Sequence, residues 1–506
     1  MAKLDRLFDE GSAPEGAAAP TPQTPTGDKP RFRVPERGQV RFLISNLDDL
    51  LPDDDQARVV WDYVGGLDLT PLRAGVRAVE GGPGQAPADP RVLTSLWLFA
   101  TLRGVGHARE LDRLCRRHLS YQWLCGGVTT NYHTLADFRV DHAEALHELL
   151  VAGVATLMAE GLVTLDRVAQ DGMKVRAAAG AASFRRKPAL EQCLAAAEAQ
   201  LAALAAAPGD AGAAGRQRRA ARERAARERA ARVQAALAQL PAVAAAKEKA
   251  KQDQARVSTT DPEARVMKMA DGGFRPAFNL QFVTDTASQV MVGVQATNAG
   301  GDQGQLEPLA AALHRDYGQR PAEWLADGGY VKLEAIEALE QAGVRMHLPP
   351  PTPRAAATTP AAAAPPVPTA TPVPATTPAA APPAAAPPVP AATPVTATTP
   401  ATAPAAARDR YAPRPHDGPG TADWRQRMGT AEAQQVYKER AATAECVNAL
   451  ARNRGLRQLA VRGLEKARAL ALWHALAHNL VRTVTLRAAA AAGLPTAIVF
   501  GRPAAG

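Results

Sequence analysis

The sequence predicts an α/β protein in which a mixed sheet follows an N-terminal all-α region. Apolar residues change from helical to strand spacing after about residue 160. An Ala/Arg/Glu-rich stretch then interrupts the strands, and a Pro/Ala-rich stretch separates the last strand from basic helices. The predicted divisions are a disordered tail at 1–30, a helical domain at 31–160, a first core part at 161–348 with a helical insertion at 188–253, a linker at 349–429 and a second core part at 430–506.

The bulk composition points to a polyanionic partner. The chain has 506 residues and a formal net charge of +9, with a pI near 9.6. Such a balance favours nucleic acid or an anionic surface. The sequence contains no apolar run of about 18 residues that would cross a membrane, and its N-terminus lacks the apolar core of a signal peptide. The four cysteines are scattered without a disulfide framework, so we expect a cytoplasmic protein.

Order is expected to begin after the Pro-, Ala- and Gly-rich tail, in short helices. Helices are predicted at 90–103 and 107–117, and a third begins at Thr130 or Asn131, since either residue could cap it. Arg109 and Arg113 lie on the second of these helices. Two interpretations remain open: a helix-turn-helix-like DNA reader, or a helical bundle whose arginines face water.

The strand pattern begins at 165–176 and is interrupted by the insertion. Two limbs of strong helix formers, separated by a break at 208–212, predict a helical hairpin. Its arginine face is either solvated, the commoner case, or in contact with DNA. Further strands are predicted at 265–269, 278–283, 290–296, 323–326 and 344–348, with helices at 305–317 and 332–342.

A Pro/Ala/Thr/Val-rich segment follows the last strand. Such a composition cannot form a core and predicts an extended, polyproline-II-like linker. Helices are expected to resume near Thr430. The stretch 438–487 has ten Lys/Arg and three Glu, a net charge of +7. The linker need not separate its two flanks in space, because a long loop adds little closure entropy.

Three carboxylates are candidate ligands for a hard metal ion. Asp171 lies on the first strand, Asp327 ends a short strand, and Glu445 lies on a basic helix. Such a trio suits two magnesium ions around a phosphate. Each acid also has a plainer interpretation. Asp327 could be a turn former before glycines, and Glu445 an ordinary surface residue. Asp302 is interpreted as a turn residue and is the reserve candidate for the second acid.

The chain resembles bacterial insertion-sequence transposases with a DDE catalytic core, and is most similar to the insertion-sequence-1182 family. The resemblance rests on the order of several segments: 104–111, 131–139, 170–176, 183–186, 261–268, 272–279, 326–330, 437–462 and 478–480. Together they span roughly residues 35–485, apart from the two low-complexity stretches.

This resemblance implies an RNase H-like fold and a DNA-binding domain at 31–160. It also implies Mg²⁺-dependent cleavage at terminal inverted repeats, followed by strand transfer, with two ions (Mn²⁺ is an alternative) held by Asp171, Asp327 and Glu445. Double-stranded DNA and a homodimer in the reacting complex would be the partners, without a membrane. The expected DNA contacts are Lys174, Arg176, Tyr437, Arg440, Arg452, Arg109 and Arg113. A catalytically inactive DNA-binding relic and a host RNase H-like nuclease are the alternatives.

The glutamate helix departs from the related pattern in its spacing. Related enzymes have three residues between the arginine and the glutamate, whereas this chain has four between Arg440 and Glu445, and Arg452 stands where a lysine is expected. On a regular α-helix Glu445 and Arg452 fall within about 20° of each other. Arg440 falls about 140° from Glu445 unless the helix is distorted between them.

Overall fold

The computed structural model describes residues 44–74, 76, 86–207, 212–352 and 409–494. The predicted tail, the break at 208–211 and the linker from residue 353 to 408 lie outside the described residues. Among the residues described, no helix has the length and apolar character needed to cross a membrane.

Eight helices precede the first strand within the described residues. They are α1 (Leu47–Leu50), α2 (Gln56–Gly65), α3 (Thr70–Arg73), α4 (Pro90–Leu102), α5 (Ala108–Arg117), α6 (Leu119–Cys125), α7 (Tyr132–Val140) and α8 (Ala143–Ala159). Helix α4 is buried along nearly its whole length, so it forms the centre of this group. Asn131 caps α7 by accepting from the amides of His133 and Thr134, which decides between the two predicted caps.

The sheet is mixed. Its strands are β1 (Arg167–Arg176), β4 (Arg265–Lys268), β5 (Phe274–Asp285), β6 (Met291–Thr297), β7 (Glu323–Leu325) and β8 (Arg345–His347), while β2 (Phe184–Arg185) and β3 (Val257–Ser258) form a separate pair. Strand β5 is antiparallel to β1, β4 and β6. Strands β7 and β8 continue on the other side of β1 in parallel. The helices α11 (Leu306–Tyr317) and α12 (Leu333–Gln341) connect the later strands.

The insertion is a helical hairpin, as the sequence predicts. Helices α9 (Lys187–Ala206) and α10 (Gly212–Ala245) pack against each other. Leu190, Val233 and Val257 belong to a small apolar cluster of their own. The hairpin therefore has its own core beside the main sheet.

The helices after the linker begin earlier than the sequence predicts. They are α13 (Pro419–Met428), α14 (Ala431–Arg440), α15 (Cys446–Asn453) and α16 (Leu464–Ala491). The expectation that residues 349–429 are all linker is wrong at its end, because α13 lies within that range. Trp424 is fully buried, and its indole N–H donates to the Leu348 carbonyl at 3.1 Å. Pro419 and Gly420 resemble linker composition, yet they open a helix that packs beside α12.

Helix α16 connects the N-terminal helices to the sheet. It packs against α4, α7 and α8 and also against β5 and β6. The Trp473 indole N–H donates to the Arg139 carbonyl at 2.9 Å. Asn479 accepts from the Met291 amide and donates to the Met291 carbonyl, each at 2.8 Å. One buried side chain thus satisfies both backbone groups of an edge-strand residue.

Replacing Asn479 with Leu should destabilise the protein. The amide and the carbonyl of Met291 would stay buried without partners, a loss of about 2–4 kcal/mol in the free energy of unfolding. Urea unfolding followed by circular dichroism measures it. Lys466→Leu, at an exposed position of the same helix, is the control and should change the free energy by less than about 0.5 kcal/mol. Equal effects of the two substitutions would contradict the proposed role of Asn479.

Candidate active site

Asp171 and Asp327 lie at the same edge of the sheet because their strands are parallel neighbours. Strand β7 pairs with β1 only along Arg167–Ala169, so β1 runs on past the end of β7. Asp171 occupies this unpaired stretch, and Asp327 follows β7 by two residues. The carboxyl ends of parallel strands are where open α/β sheets place their ligand sites. Both aspartates line one open groove of about 830 Å³.

Asp327 also shapes the turn that follows β7. Its Oδ1 accepts from the Gly329 amide at 2.7 Å and caps the short 3₁₀ turn Gly328–Tyr330. The turn-forming interpretation of the sequence is therefore confirmed. It is compatible with a place in the groove, because the capped carboxylate has a second oxygen.

Asp171 is surrounded by groups that act on its charge. Its Oδ1 accepts from the Gly172 amide at 3.0 Å, and its Oδ2 accepts from Asn448 Nδ2 at 2.9 Å. The Arg440 guanidinium lies 3.9 Å from Oδ1. Burial raises the pKa of Asp171 to about 6, against the opposing effects of Arg440 and Asn448, and the charge of Asp327 adds to the rise. A cation in the groove would favour the ionised form.

A π-helical turn explains the unusual spacing of Arg440 and Glu445. The turn spans Ala441–Glu445, between α14 and α15. Arg440 Nη2 donates to Glu445 Oε1 at 2.5 Å. Arg440 and Glu445 are therefore not separated by the 140° around the helix axis that a regular α-helix would give. A π-helical turn contains one more residue than an α-helical turn, so the side chains of Arg440 and Glu445 meet although they are five positions apart.

Arg440 lies between Glu445 and Asp171 and contacts both. Its side chain is 52% exposed and is paired with Arg440, which is 14% exposed. Glu445 is absent from the groove lining. Within the described part of the chain, no three His, Cys, Asp or Glu side chains are arranged to hold a metal ion. The structure thus brings Asp171 and Asp327 together and leaves Glu445 beside them, bound to an arginine.

The groove is lined by both acidic and basic side chains, with the basic ones in excess. Three predicted DNA contacts, Lys174, Arg176 and Arg452, line it. It also has basic residues that the sequence reasoning missed: Lys268, Arg275 and Arg457. Such residues converge only when β4, β5 and the segment after α15 meet around β1, so no local pattern could identify them. Acids and bases together make a site suited to a metal-bound phosphodiester.

The remaining predicted contacts lie elsewhere. Tyr437 packs at the edge of an apolar cluster, with the Arg440 guanidinium 5.8 Å from its ring. Arg109 stacks over Tyr132 at 4.9 Å, and Arg113 forms an exposed ion pair with Glu110. None of the three lines the groove.

Asn448 is a site residue that the sequence reasoning missed. Its side chain is buried, and its Oδ1 has no hydrogen-bond partner in the described ranges of the chain. A signal did exist, because Asn448 interrupts the apolar face formed by Val447 and Ala451. A buried amide on such a face needs partners, and Asp171 is one of them.

The raised pKa of Asp171 predicts a pH-dependent loss of stability in the metal-free protein. Between about pH 4 and pH 6 the folded chain keeps a proton that the unfolded chain has released, so the free energy of unfolding falls as pH rises. In Asp171→Asn the free energy of unfolding should fall by roughly 2–3 kcal/mol less than in wild type over this pH range, because the asparagine carries no titrating proton. Urea unfolding in EDTA at pH 4 to 7 measures the difference.

Asn448→Ala supplies the directional check. Removal of the N–H donor should raise the pKa of Asp171 further and move the fall in stability to higher pH. A pH dependence that is the same in wild type and Asp171→Asn would contradict the assignment.

Two family models match parts of the chain. Residues 45–141 match "Transposase domain (DUF772)", and residues 414–484 match "Transposase DDE domain". The second match covers Arg440, Glu445 and Arg452, whereas neither covers Asp171 or Asp327. No curated protein and no solved structure matches the chain. The two matches, which precede and follow the strands of the sheet in the sequence, support an insertion-sequence transposase.

Proposed function

We propose that this chain is a DDE transposase of the insertion-sequence-1182 type, which cuts DNA at terminal inverted repeats and joins the freed ends to a target. One observation carries the proposal: Asp171, midway along β1, and Asp327, just after the parallel neighbour β7, share a groove lined with lysines and arginines. The match of residues 414–484 to a DDE domain supports the same chemistry.

The sheet supports an RNase H-like core. Strands β1, β5 and β6 are consecutive antiparallel neighbours, apart from the insertion, and β7 and β8 extend the sheet in parallel. Asp171 lies on the first strand of this core. Asp327 follows the fourth strand of this core, β7. Strands β2, β3 and β4 are not counted, because they flank the helical insertion. This is the strand order that the resemblance implies.

The residues around Asp171 suit a divalent cation. Asp171 is a partly buried carboxylate next to a second one, and the Asn448 Oδ1 beside it has no partner within the described part of the chain. These are hard oxygen donors of the kind that Mg²⁺ and Mn²⁺ prefer. When bound, two such ions would activate the attacking oxygen and neutralise the leaving oxygen. Asp171 and Asp327 would hold them, and Glu445 would join once Arg440 turns towards DNA.

The basic side chains would position the substrate. Lys174, Arg176 and Arg452 face the groove, where they can neutralise phosphates on either side of the cut. Arg440, between Asp171 and Glu445, can donate to a phosphate instead of to the carboxylates. Two element ends must react together, so we propose a homodimer on double-stranded DNA in the bacterial nucleoid.

Cleavage of DNA that bears the inverted repeats flanking the gene tests this function. Asp171→Asn, Asp327→Asn and Glu445→Gln should each reduce Mg²⁺-dependent cleavage by about 10²-fold or more. Glu432→Gln, an exposed glutamate on α14, is the matched control and should cut like wild type. DNA binding by gel shift should persist in all four.

Retained cleavage in any one acid variant would remove that residue from the site. A second candidate function is a DNA-binding relic that cannot cut. The observation that favours it is the pairing of Glu445 with Arg440 outside the groove. Repeat-specific binding by wild type without any nicking in Mg²⁺ or Mn²⁺ would establish the relic. Cleavage with no preference for the repeats would favour a host nuclease.

Removal of a basic side chain from the groove should weaken DNA binding and should also reduce the dependence of the affinity on salt. Arg452→Ala and Lys174→Ala should each reduce the slope of log affinity against log salt by about one. Arg487→Ala is the charge-matched control, because Arg487 pairs with Glu160 away from the groove. Fluorescence anisotropy between 50 and 200 mM salt (about the range over which such slopes are resolved) measures it. Equal slopes in all variants would exclude phosphate contacts at these positions.

The same titration can place the N-terminal arginines. Arg109→Ala and Arg113→Ala should lower affinity if α5 contacts DNA. If the arginines of α5 only face water, both variants should bind like Arg487→Ala.

A further inference from the structure

Asp302 lies in the same groove as Asp171 and Asp327. It belongs to the connection between β6 and α11, where the sequence suggests a turn. Its backbone carbonyl does accept from the Gln305 amide at 3.1 Å. Its side chain serves no turn: Oδ1 accepts from Asn279 Nδ2 and from Gln281 Nε2, each at 2.7 Å. Both donors are buried on β5, so the carboxylate is held against the sheet.

Gly172 makes room for this carboxylate. A Cβ at Gly172 would lie 2.3 Å from Asp302 Oδ1 and 2.9 Å from Asn279 Oδ1. Any side chain there would displace Asp302 from its place beside β1. The residue after Asp171 therefore brings a second acid close to the first strand.

Two buried amide oxygens beside these acids have no hydrogen-bond partner among the residues that the structure describes. Asn279 donates to Asp302, and its Oδ1, which faces the space over Gly172, has no hydrogen bond. Asn448 donates to Asp171, and its Oδ1 is also unpaired. Both residues are almost fully buried. Buried amide oxygens that accept no hydrogen bond and lie next to carboxylates are suitable donors to a cation.

We propose that Asp302 is a further carboxylate ligand of the divalent cation in this groove, together with Asp171 and Asp327. The inference rests on the proposed function and deepens it. The Tyr330 hydroxyl donates to Gln281 Oε1, and Gln281 in turn donates to Asp302, so the phenol lies beside the same group of acids, whose charges add to the rise that burial causes in its pKa. The three acids line one groove. Among the described residues they are not yet close enough together to form a metal site, and binding of the cation would draw them together.

Glu445 is the competing candidate, and the contacts separate the two acids. Glu445 is half exposed and bound to Arg440 outside the groove. Asp302 is within the groove and contacts only neutral amides through its side chain. A cation would have to displace an arginine to reach Glu445, whereas no lysine or arginine of the described ranges forms an ion pair with Asp302.

Mn²⁺ binding to the full chain without DNA tests the inference, with electron paramagnetic resonance to follow free Mn²⁺. Asp302→Asn should weaken binding at least about tenfold. The asparagine Oδ1 can still accept from Asn279 and Gln281, so the fold should be kept, which circular dichroism checks. Asp271→Asn is the matched control, because Asp271 lines the same groove but pairs with Arg275; it should bind within about twofold of wild type. Asp302→Glu, which moves the carboxylate by one methylene, is the second variant and should fall between wild type and Asp302→Asn.

Wild-type affinity in Asp302→Asn would overturn the inference, and so would an absence of Mn²⁺ binding by wild type. Cleavage of repeat-bearing DNA by wild type is scored separately. If wild type cuts and Asp302→Asn binds Mn²⁺ normally, the inference fails and the proposed function stands. If Asp302→Asn loses Mn²⁺ and wild type cuts no DNA, the cation site stands and the proposed function fails.

Discussion

The contact between α16 and the edge strand β6 is the interaction on which the rest of the architecture depends. Asn479 satisfies both backbone groups of Met291 inside the core, and the Trp473 indole binds the backbone of α7. Helix α16 therefore fixes the N-terminal helices and the sheet against each other. It also brings the residues after the linker onto the strands that precede it. Ala444, in the turn between α14 and α15, packs directly on Ala169 of β1 and Leu325 of β7, which holds that turn beside Asp171.

The site itself arises from unequal pairing along β1. Strand β5 pairs with nine consecutive β1 residues, from Val168 to Arg176, whereas β7 pairs with only three. From Gln170 onwards, the side of β1 that faces β7 has no strand partner among the described residues, and this leaves the groove open beside Asp171. The turn that Asp327 caps begins shortly after the end of β7. On the face occupied by Gly172, the absence of a side chain admits Asp302. A longer β7 or a larger residue at 172 would close one side of the same groove.

Local patterns predicted most of the elements, and long-range packing decided what they missed. The alternation of β1, the alanine-rich limbs of the insertion and the cap at Asn131 are properties of neighbouring residues, so the sequence reveals them. Helix α13 was missed because its Pro-Gly start resembles the linker. It is stabilised by the burial of Trp424, whose indole N–H donates to the carbonyl of Leu348, a residue distant in the sequence. In the site, Asp171 and Asp327 were visible as acids at strand ends. Arg457, Lys268 and Asn448 were not, because only the folded sheet brings them to the groove.

The π turn shows how an altered spacing can leave the contacts of a site intact. One additional residue in a regular α-helix would rotate everything after it by about 100°, which would turn Asn448 away from Asp171 or Arg440 away from Glu445. The turn at Ala441–Glu445 absorbs the residue in a wider loop. Both contacts then coexist: Arg440 binds Glu445 at 2.5 Å, and Asn448 binds Asp171 at 2.9 Å. The same turn directs Glu445 to the arginine and away from the groove. Under the proposed function, Glu445 would bind a cation only after Arg440 leaves it, and DNA phosphates would be the groups that draw Arg440 away.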